Sequence, residues 1–155
     1  RQLLPDPHDL RVPIRVRIEY RIPGFARKAG GSMVFEPLLA ANVFGDFFHA
    51  PELGTRTNME TRKYGFRQRC SRLVELDETI TLPAGMRAQR LPEAAKIAGE
   101  AASFDGAVTV EGGTLHFRAR HRMEKRLYDA ADWPDFRAAL LARTGFADSP
   151  VILTK

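Results

Sequence analysis

The residues from Gly106 to Leu127 alternate between apolar and polar side chains on either side of a Gly112-Gly113 pair. Alternation with a period of two is typical of strands that bury one face. Two adjacent glycines supply the positive backbone angles that a two-residue hairpin turn needs. The sequence therefore predicts a long antiparallel hairpin near the end of the chain.

A helix and a final strand are predicted after the hairpin. The stretch DWPDFRAALLARTGF has helical period, and it predicts a helix over Asp132–Thr144 with Asp132 as N-cap and Gly145 as C′ residue. Pro134 fits the first turn because its missing N–H has no partner there. Trp133, Phe136, Leu140 and Leu141 form its apolar face. The run VILTK closes the chain as a short strand.

Further strands are predicted upstream from alternation and turn residues, at 11–22, 32–38, 61–67, 72–82 and 86–92. Residues 95–104 fit either a helix, because they are rich in alanine, or a strand in a meander. The fold class expected is mainly β, an antiparallel β-sandwich with one C-terminal helix followed by a final strand. The predicted core consists of Ile14, Val16, Ile18, Val74, Leu76, Ile80, Leu82, Leu115, Phe117, Trp133, Phe136 and Leu140.

The length of 155 residues suits one domain with a tail. Residues 1–10 (RQLLPDPHDL) are interpreted as a linker from an upstream domain, and residues 11–155 as a single β-sandwich domain. The chain does not begin with Met, so we expect it to be part of a longer protein. No apolar run reaches the roughly 20 residues that span a bilayer. We therefore expect no direct membrane span.

The formal net charge of +5 comes with 24 basic residues, mostly arginine. This bias can indicate affinity for nucleic acid, or it can reflect arginine-rich codon usage. The basic residues are dispersed and interleaved with acids such as Glu19 and Glu124. A nucleic-acid footprint is usually a cluster with stacking aromatic residues, so we expect no nucleic-acid partner.

Cys70, a histidine (His116 or His121) and an aspartate (Asp129 or Asp132) occur in the order of a papain-like site. A nucleophilic cysteine needs surroundings that favour its thiolate, commonly a helix N-terminus. Cys70 instead precedes a predicted strand, so we expect a partly buried, chemically ordinary thiol. The two histidines are an odd number of residues apart on one strand and point to opposite faces, so they cannot share a metal. We expect no catalytic site, metal or cofactor.

His116, Arg118, Arg120 and Arg122 form a basic face on one predicted strand. One interpretation is a binding face for an anion or a polysaccharide. The other is a solvated surface whose arginines pair across strands with Glu75 and Asp77, each pair contributing about 0.2–1 kcal/mol.

Several motifs occur together in one order from Thr61 onwards. They are Arg62-Lys63-Tyr64, the strand LVELDETITLPAGMRAQRLP, a hairpin with Gly113, Leu115, Phe117 and Arg118, then DWPDFRAALL and VILTK. This arrangement resembles the C-terminal part of bacterial exported transglutaminase-like proteins. In that family a papain-like core is flanked by β-sandwich domains of uncharacterised function. No position here matches the motifs of the catalytic core.

The resemblance implies a non-catalytic accessory domain that packs against the upstream domain of the same polypeptide, in the periplasm or cell envelope. The aperiodic stretch with Phe44, Phe47 and Phe48 is the predicted docking patch, because it carries more aromatic surface than a free loop exposes. A different hypothesis is a stand-alone binding module for an anionic glycan or envelope polymer. A third is a cysteine-dependent enzyme. The sequence does not predict an oligomeric state.

Overall fold

The computed structural model of the protein describes residues 22–37 and 57–155. These residues form ten strands, a short 3-10 helix (Ala130–Asp132) and one α-helix, α1 (Trp133–Ala147). The strands are β1 (Arg27–Ala29), β2 (Ser32–Phe35), β3 (Phe66–Arg67), β4 (Arg72–Thr81), β5 (Arg87–Arg90), β6 (Ala95–Ala98), β7 (Ala102–Glu111), β8 (Thr114–Met123), β9 (Leu127–Tyr128) and β10 (Val151–Thr154). The described part of the chain is thus mainly β, as predicted.

The large sheet has the strand order β4-β8-β7-β6, and all its pairs are antiparallel. β7 and β8 form the predicted hairpin, and Gly112 and Gly113 adopt φ of 55° and 78° at its turn. The pairing of β4 with β8 runs without a bulge from Arg72 opposite Met123 to Thr81 opposite Thr114. This regular register results from unbroken alternation in three ten-residue strands.

The small sheet has the order β1-β2-β10-β5, so the predicted final strand lies between two earlier strands. β3 and β9 form a separate antiparallel pair, here called the ribbon. Both sheets and α1 contribute to one core, as in a β-sandwich. Its largest fully buried side chains are Trp133, Phe104, Phe117, Phe136, Leu115, Leu153 and Val151.

Most of the predicted core is confirmed. Leu82, Leu115, Phe117, Trp133, Phe136 and Leu140 are buried, whereas Val74, Leu76 and Ile80 on the edge strand β4 are half-buried. Ile14, Val16 and Ile18 lie outside the described residues, as do most of the predicted strand over 11–22 and the linker over 1–10. The prediction for Leu141 was wrong, since this side chain is 42% exposed on α1.

The predicted ends of the helix are correct only in part. Asp132 occupies the N-cap position of α1, as predicted, but its side chain does not cap the helix, because it accepts the backbone N–H of Asp129 at 2.9 Å instead. Gly145 is not a C′ residue, since the helix continues through it to Ala147. The extra turn buries Phe146 against the rings of Phe104 and Phe117, with centroids 5.7 and 5.1 Å away. This burial explains why the helix does not end at the glycine.

Three strand predictions change in extent. Residues 95–104 form strands, not a helix, but they divide between β6 and the start of β7. The strand predicted over 61–67 is reduced to Phe66–Arg67, because the residues before it pack around the start of α1. Residues 27–29, where no strand was predicted, form β1 in a hairpin with β2 around Gly30. No helix in the described residues is long and apolar enough to cross a membrane.

Candidate functional site

An aromatic cluster lies between the ribbon and the start of α1. The ring of Phe66 stacks on Tyr128 with centroids 4.8 Å apart and meets Trp133 and Phe136 edge-on at 5.5 and 4.9 Å. The Arg62 guanidinium covers this cluster, 4.1 Å from the Trp133 ring centre and 4.8 Å from that of Phe66. Such distances are within the range of cation–π attraction. The cluster fixes the two short strands of the ribbon on the helix.

The segment before Arg62 is fastened to the same helix by two hydrogen bonds. The Trp133 indole Nε1–H donates to the carbonyl of Met59 at 3.0 Å. The Arg137 Nε–H donates to the carbonyl of Thr57 at 2.8 Å. Both donors lie on α1, so the helix holds a segment more than seventy residues earlier in the sequence.

Gly65, the residue before β3, lies very close to the backbone of β9. A Cβ atom at this position would lie 2.6 Å from the carbonyl oxygen of Tyr128, a separation that real Cβ atoms do not show. The absence of a side chain therefore allows the chain to enter β3 beside β9. This geometry explains a glycine directly after the motif Arg62-Lys63-Tyr64.

A hydrogen-bonded pair fixes the chain between β8 and the helix. Lys125 Nζ donates to both carboxylate oxygens of Asp132, at 2.8 and 3.1 Å. This contact raises the pKa of Lys125 and lowers that of Asp132, because each charge stabilises the other. The Lys125 backbone N–H donates to the hydroxyl of Tyr128 at 3.1 Å. Burial raises the pKa of Tyr128, so it stays a neutral phenol that anchors the ribbon.

The outer side of the ribbon exposes two large apolar side chains. Tyr64 is 72% exposed and Leu127 is 68% exposed, the highest values among the large hydrophobic residues of the described chain. Leu127 lies opposite Arg67 in the ribbon, and Tyr64 precedes β3 with Lys63 Nζ 5.5 Å from its ring centre. We call Tyr64 and Leu127 the ribbon surface. Aromatic residues and arginine are enriched at contact surfaces relative to the rest of a protein surface.

The predicted basic face lies on the outer side of the large sheet. Arg118 pairs with Asp77 at 3.1 Å and Arg120 with Glu75 at 3.3 Å, both across strands. The interpretation as a paired, solvated surface is therefore confirmed for these two arginines.

The third arginine of that face pairs as well, since Arg122 contacts Glu124 at 2.8 Å. On the edge strand β6, Lys96 contacts Asp105 at 3.7 Å. His116 lies between Thr79 and Thr109 on the neighbouring strands. Anion binding by this face stays a prediction, and the pairing weakens it because all three arginines of the face contact acids.

His121 lies on the opposite side of β8 from His116, as predicted, and it is 4% exposed. Its ring contacts Phe104 edge-on at 6.3 Å, and its buried Nε2 has no hydrogen-bond partner among the described residues. Burial lowers the pKa of His121 to about 4, with further lowering by the charges of Arg143 and Arg72.

A cavity of about 20 Å³ adjoins His121 between the large sheet and the end of α1. Its lining is mostly apolar, and it includes Leu76, Phe117 and Phe146. The cavity has room for about one water molecule, far less than an organic ligand needs.

Cys70 is exposed, so the expectation of a partly buried thiol was wrong. Its Sγ accepts a hydrogen bond from Arg72 at 3.2 Å, and it precedes a strand as predicted. Among the described residues no group of three or more His, Cys, Asp or Glu side chains could hold a metal ion. Phe44, Phe47 and Phe48 lie outside the described residues, so the predicted docking patch is not placed.

Sequence reasoning missed the aromatic cluster and the ribbon surface. Two-residue strands carry no detectable alternation, and the partners Phe66 and Tyr128 are far apart in the sequence. The one available signal for this site was the motif Arg62-Lys63-Tyr64, which is among the motifs that carry the family resemblance. In the structure its first residue covers the cluster, and its last residue forms part of the ribbon surface.

No curated protein matches the chain. A crystal structure described as that of "a putative protease from Parabacteroides distasonis" has the same fold, with a TM-score of 0.61 and 16% sequence identity. The match covers 81% of this chain but 24% of the other, so the chain spans about a quarter of that structure. The family model described as "Domain of Unknown Function with solved-structure structure (DUF3858)" matches residues 33–152, and the chain therefore belongs to this family.

Proposed function

We propose that this domain is a non-catalytic accessory domain of a longer transglutaminase-like or protease-like protein. The carrying observation is that its fold recurs as 24% of a longer chain described as "a putative protease". In this proposal the chemistry belongs to a region upstream in the same polypeptide, and the domain packs against that region. Export to the periplasm or cell envelope of a bacterium is part of the same proposal and derives from the resemblance.

The ribbon surface is the contact that we propose for the upstream region. Tyr64 and Leu127 are two residues and one residue away in sequence from Phe66 and Tyr128, whose rings stack in the aromatic cluster, so little further ordering of the backbone is needed when a partner covers them. Interfaces between domains of one chain typically bury about 600–1,500 Å², and aromatic residues and arginine are enriched in them. Tyr64, Leu127 and the neighbouring Arg67 fit this composition.

Scanning calorimetry of the full-length polypeptide tests the proposal. If the domain docks through the ribbon surface, it should melt several degrees higher in the full-length protein than as the isolated chain. Changing Tyr64→Ser together with Leu127→Ser should remove this difference. Leu141→Ser is the matched control, since Leu141 is also exposed and apolar but lies on α1. Equal melting temperatures for the domain in both contexts would contradict docking.

A further inference from the structure

The two chain segments that build the ribbon are strongly basic. Residues 61–70 and 125–128 contain six bases and no acid. Arg62 covers the aromatic cluster and Lys125 contacts Asp132, so these two bases are engaged within the domain. The other four are exposed, and we call them the ribbon bases: Lys63, Arg67, Arg69 and Arg126.

The register of the ribbon places two of these bases beside Leu127. Arg67 lies directly opposite Leu127, and opposite residues of an antiparallel pair project from the same face with Cβ atoms about 4.5–5.5 Å apart. The neighbouring opposite pair stacks in the aromatic cluster, so Arg67 and Leu127 project from the outer side. The Gln68 backbone N–H donates to the carbonyl of Arg126 at 2.8 Å, which continues the ribbon by one residue.

A third ribbon base lies at the other exposed apolar side chain. Lys63 Nζ is 5.5 Å from the ring centre of Tyr64, within the range of cation–π attraction. Each apolar group of the ribbon surface therefore has a base next to it. The surface combines an apolar contact with positive charge around it.

The charge of the ribbon is balanced less completely than that of the outer face of the large sheet, where all three arginines contact acids of the domain. Four acids lie within four residues of the two ribbon segments in sequence. Two of them, Glu124 and Asp132, contact bases that are not ribbon bases. Glu60 and Asp129 are left, so four ribbon bases stand against two acids.

Given the docking proposed above, we propose that the upstream region meets the ribbon surface with an apolar site bordered by acidic side chains. Apolar contact at the centre supplies affinity, and acids opposite the ribbon bases fix the orientation and disfavour other surfaces. Linkage within one polypeptide keeps such a partner at a local concentration of roughly millimolar order, so a small surface suffices.

Scanning calorimetry of the full-length polypeptide and of the isolated chain tests this chemistry without any substitution. The quantity to compare is the difference between the melting temperatures of the domain in the two contexts. Raising the ionic strength from about 0.1 M to about 1 M shortens the screening length from about 10 Å to about 3 Å, and it should reduce this difference by at least half. A difference that persists undiminished would overturn the acidic partner and leave docking through the apolar residues intact.

Charge reversal gives a second readout at about 0.1 M salt. Arg67→Glu with Arg126→Glu should remove the difference in melting temperature, whereas Arg67→Lys with Arg126→Lys should retain it because the charges are kept. Arg87→Glu with Arg90→Glu is the matched control, since both arginines are exposed on β5 and the net charge changes equally. An equal loss for the control, or no loss for the ribbon variant, would overturn the proposal.

A membrane is another surface that exposed apolar and basic groups can contact. Sedimentation of the full-length protein with phosphatidylglycerol vesicles should show no binding, because the upstream region covers the ribbon surface. Binding that Arg67→Glu with Arg126→Glu abolishes would assign the ribbon bases to lipid and overturn the proposal. If the domain melts at the same temperature in both contexts even at low salt, docking itself is absent, and the proposed function fails together with this inference.

Discussion

The Arg62 guanidinium lies 4.1 Å from the centre of the Trp133 indole ring, over the aromatic cluster beneath the ribbon. Its Nε is buried and has no hydrogen-bond partner among the described residues. Trp133 in turn is fully buried and donates to the carbonyl of Met59. Arg62 thereby covers the contact between the first turn of α1 and the segment around Met59, which lies far from the helix in sequence.

Arg62→Ala should lower the free energy of unfolding by about 1–2 kcal/mol, because it removes two cation–π contacts and uncovers the cluster. Lys63→Ala is the control, since Lys63 is an exposed neighbour and its change should cost less than about 0.5 kcal/mol. Urea unfolding followed by tryptophan fluorescence measures both, as Trp133 is the chain's single tryptophan. Equal midpoints for the two variants would show that the arginine does not stabilise the cluster.

His121 should make the stability depend on pH between about 4 and 6.5. Its pKa in the folded protein is about 4, below the ordinary value of 6.5, because burial disfavours the charged ring. The unfolded chain therefore takes up a proton first as the pH falls. The contribution of His121 to the free energy of unfolding should be fully present above pH 6.5. The free energy of unfolding should decrease by about 3 kcal/mol on acidification to pH 4.

Replacement by leucine isolates the contribution of this histidine. His121→Leu places an apolar, non-titrating side chain in the core. The free energy of unfolding of this variant should fall less than that of the parent chain between pH 6.5 and 4. Carboxylates titrate near the lower end of that range in both proteins, so the difference between the two curves is the quantity to measure. His116→Gln should follow the parent curve, since His116 lies on the outer face. Parallel curves for His121→Leu and the parent would contradict the buried neutral ring.

Gly145→Ala should raise the free energy of unfolding by about 0.5–1 kcal/mol. Gly145 lies inside α1, and among the described residues no atom beyond its own helix lies within 4 Å of an added Cβ. Alanine restricts the unfolded chain without straining the helix. Gly113→Ala is the opposite control, because φ of 78° in the hairpin turn strains any side chain. The melting temperature should rise for Gly145→Ala and fall for Gly113→Ala. A decrease for Gly145→Ala would indicate that the helix end is packed differently.

The sequence was sufficient for the elements with a strong repeating pattern. β4 and β8 each alternate over ten residues with one buried face, so their existence and register follow from side-chain chemistry alone. The start of β7 did not follow in this way, because residues 95–104 fit a helix as well as a strand. The end of the helix could not be found this way. Gly145 is a common stop signal, but the burial of Phe146 in a core built by other elements outweighs it.

The candidate site was predictable only in part. The cross-strand pairs of Glu75 and Asp77 with arginines follow from strand register, and they were predicted. The contact of Arg62 with Trp133 depends on how a two-residue ribbon crosses the helix, and no local pattern encodes that arrangement. The exposure of Tyr64 and Leu127 is likewise a result of the tertiary fold.

Isothermal titration of the isolated chain with the separately produced upstream region tests the central claim most directly. We predict saturable one-to-one binding with a dissociation constant below about 100 µM, which suffices for docking within one polypeptide. The double change Tyr64→Ser and Leu127→Ser should abolish binding, and Leu141→Ser should leave it unchanged. Absence of binding by the parent chain, or equal binding by the ribbon variant and the parent, would contradict an accessory domain that docks through its ribbon surface.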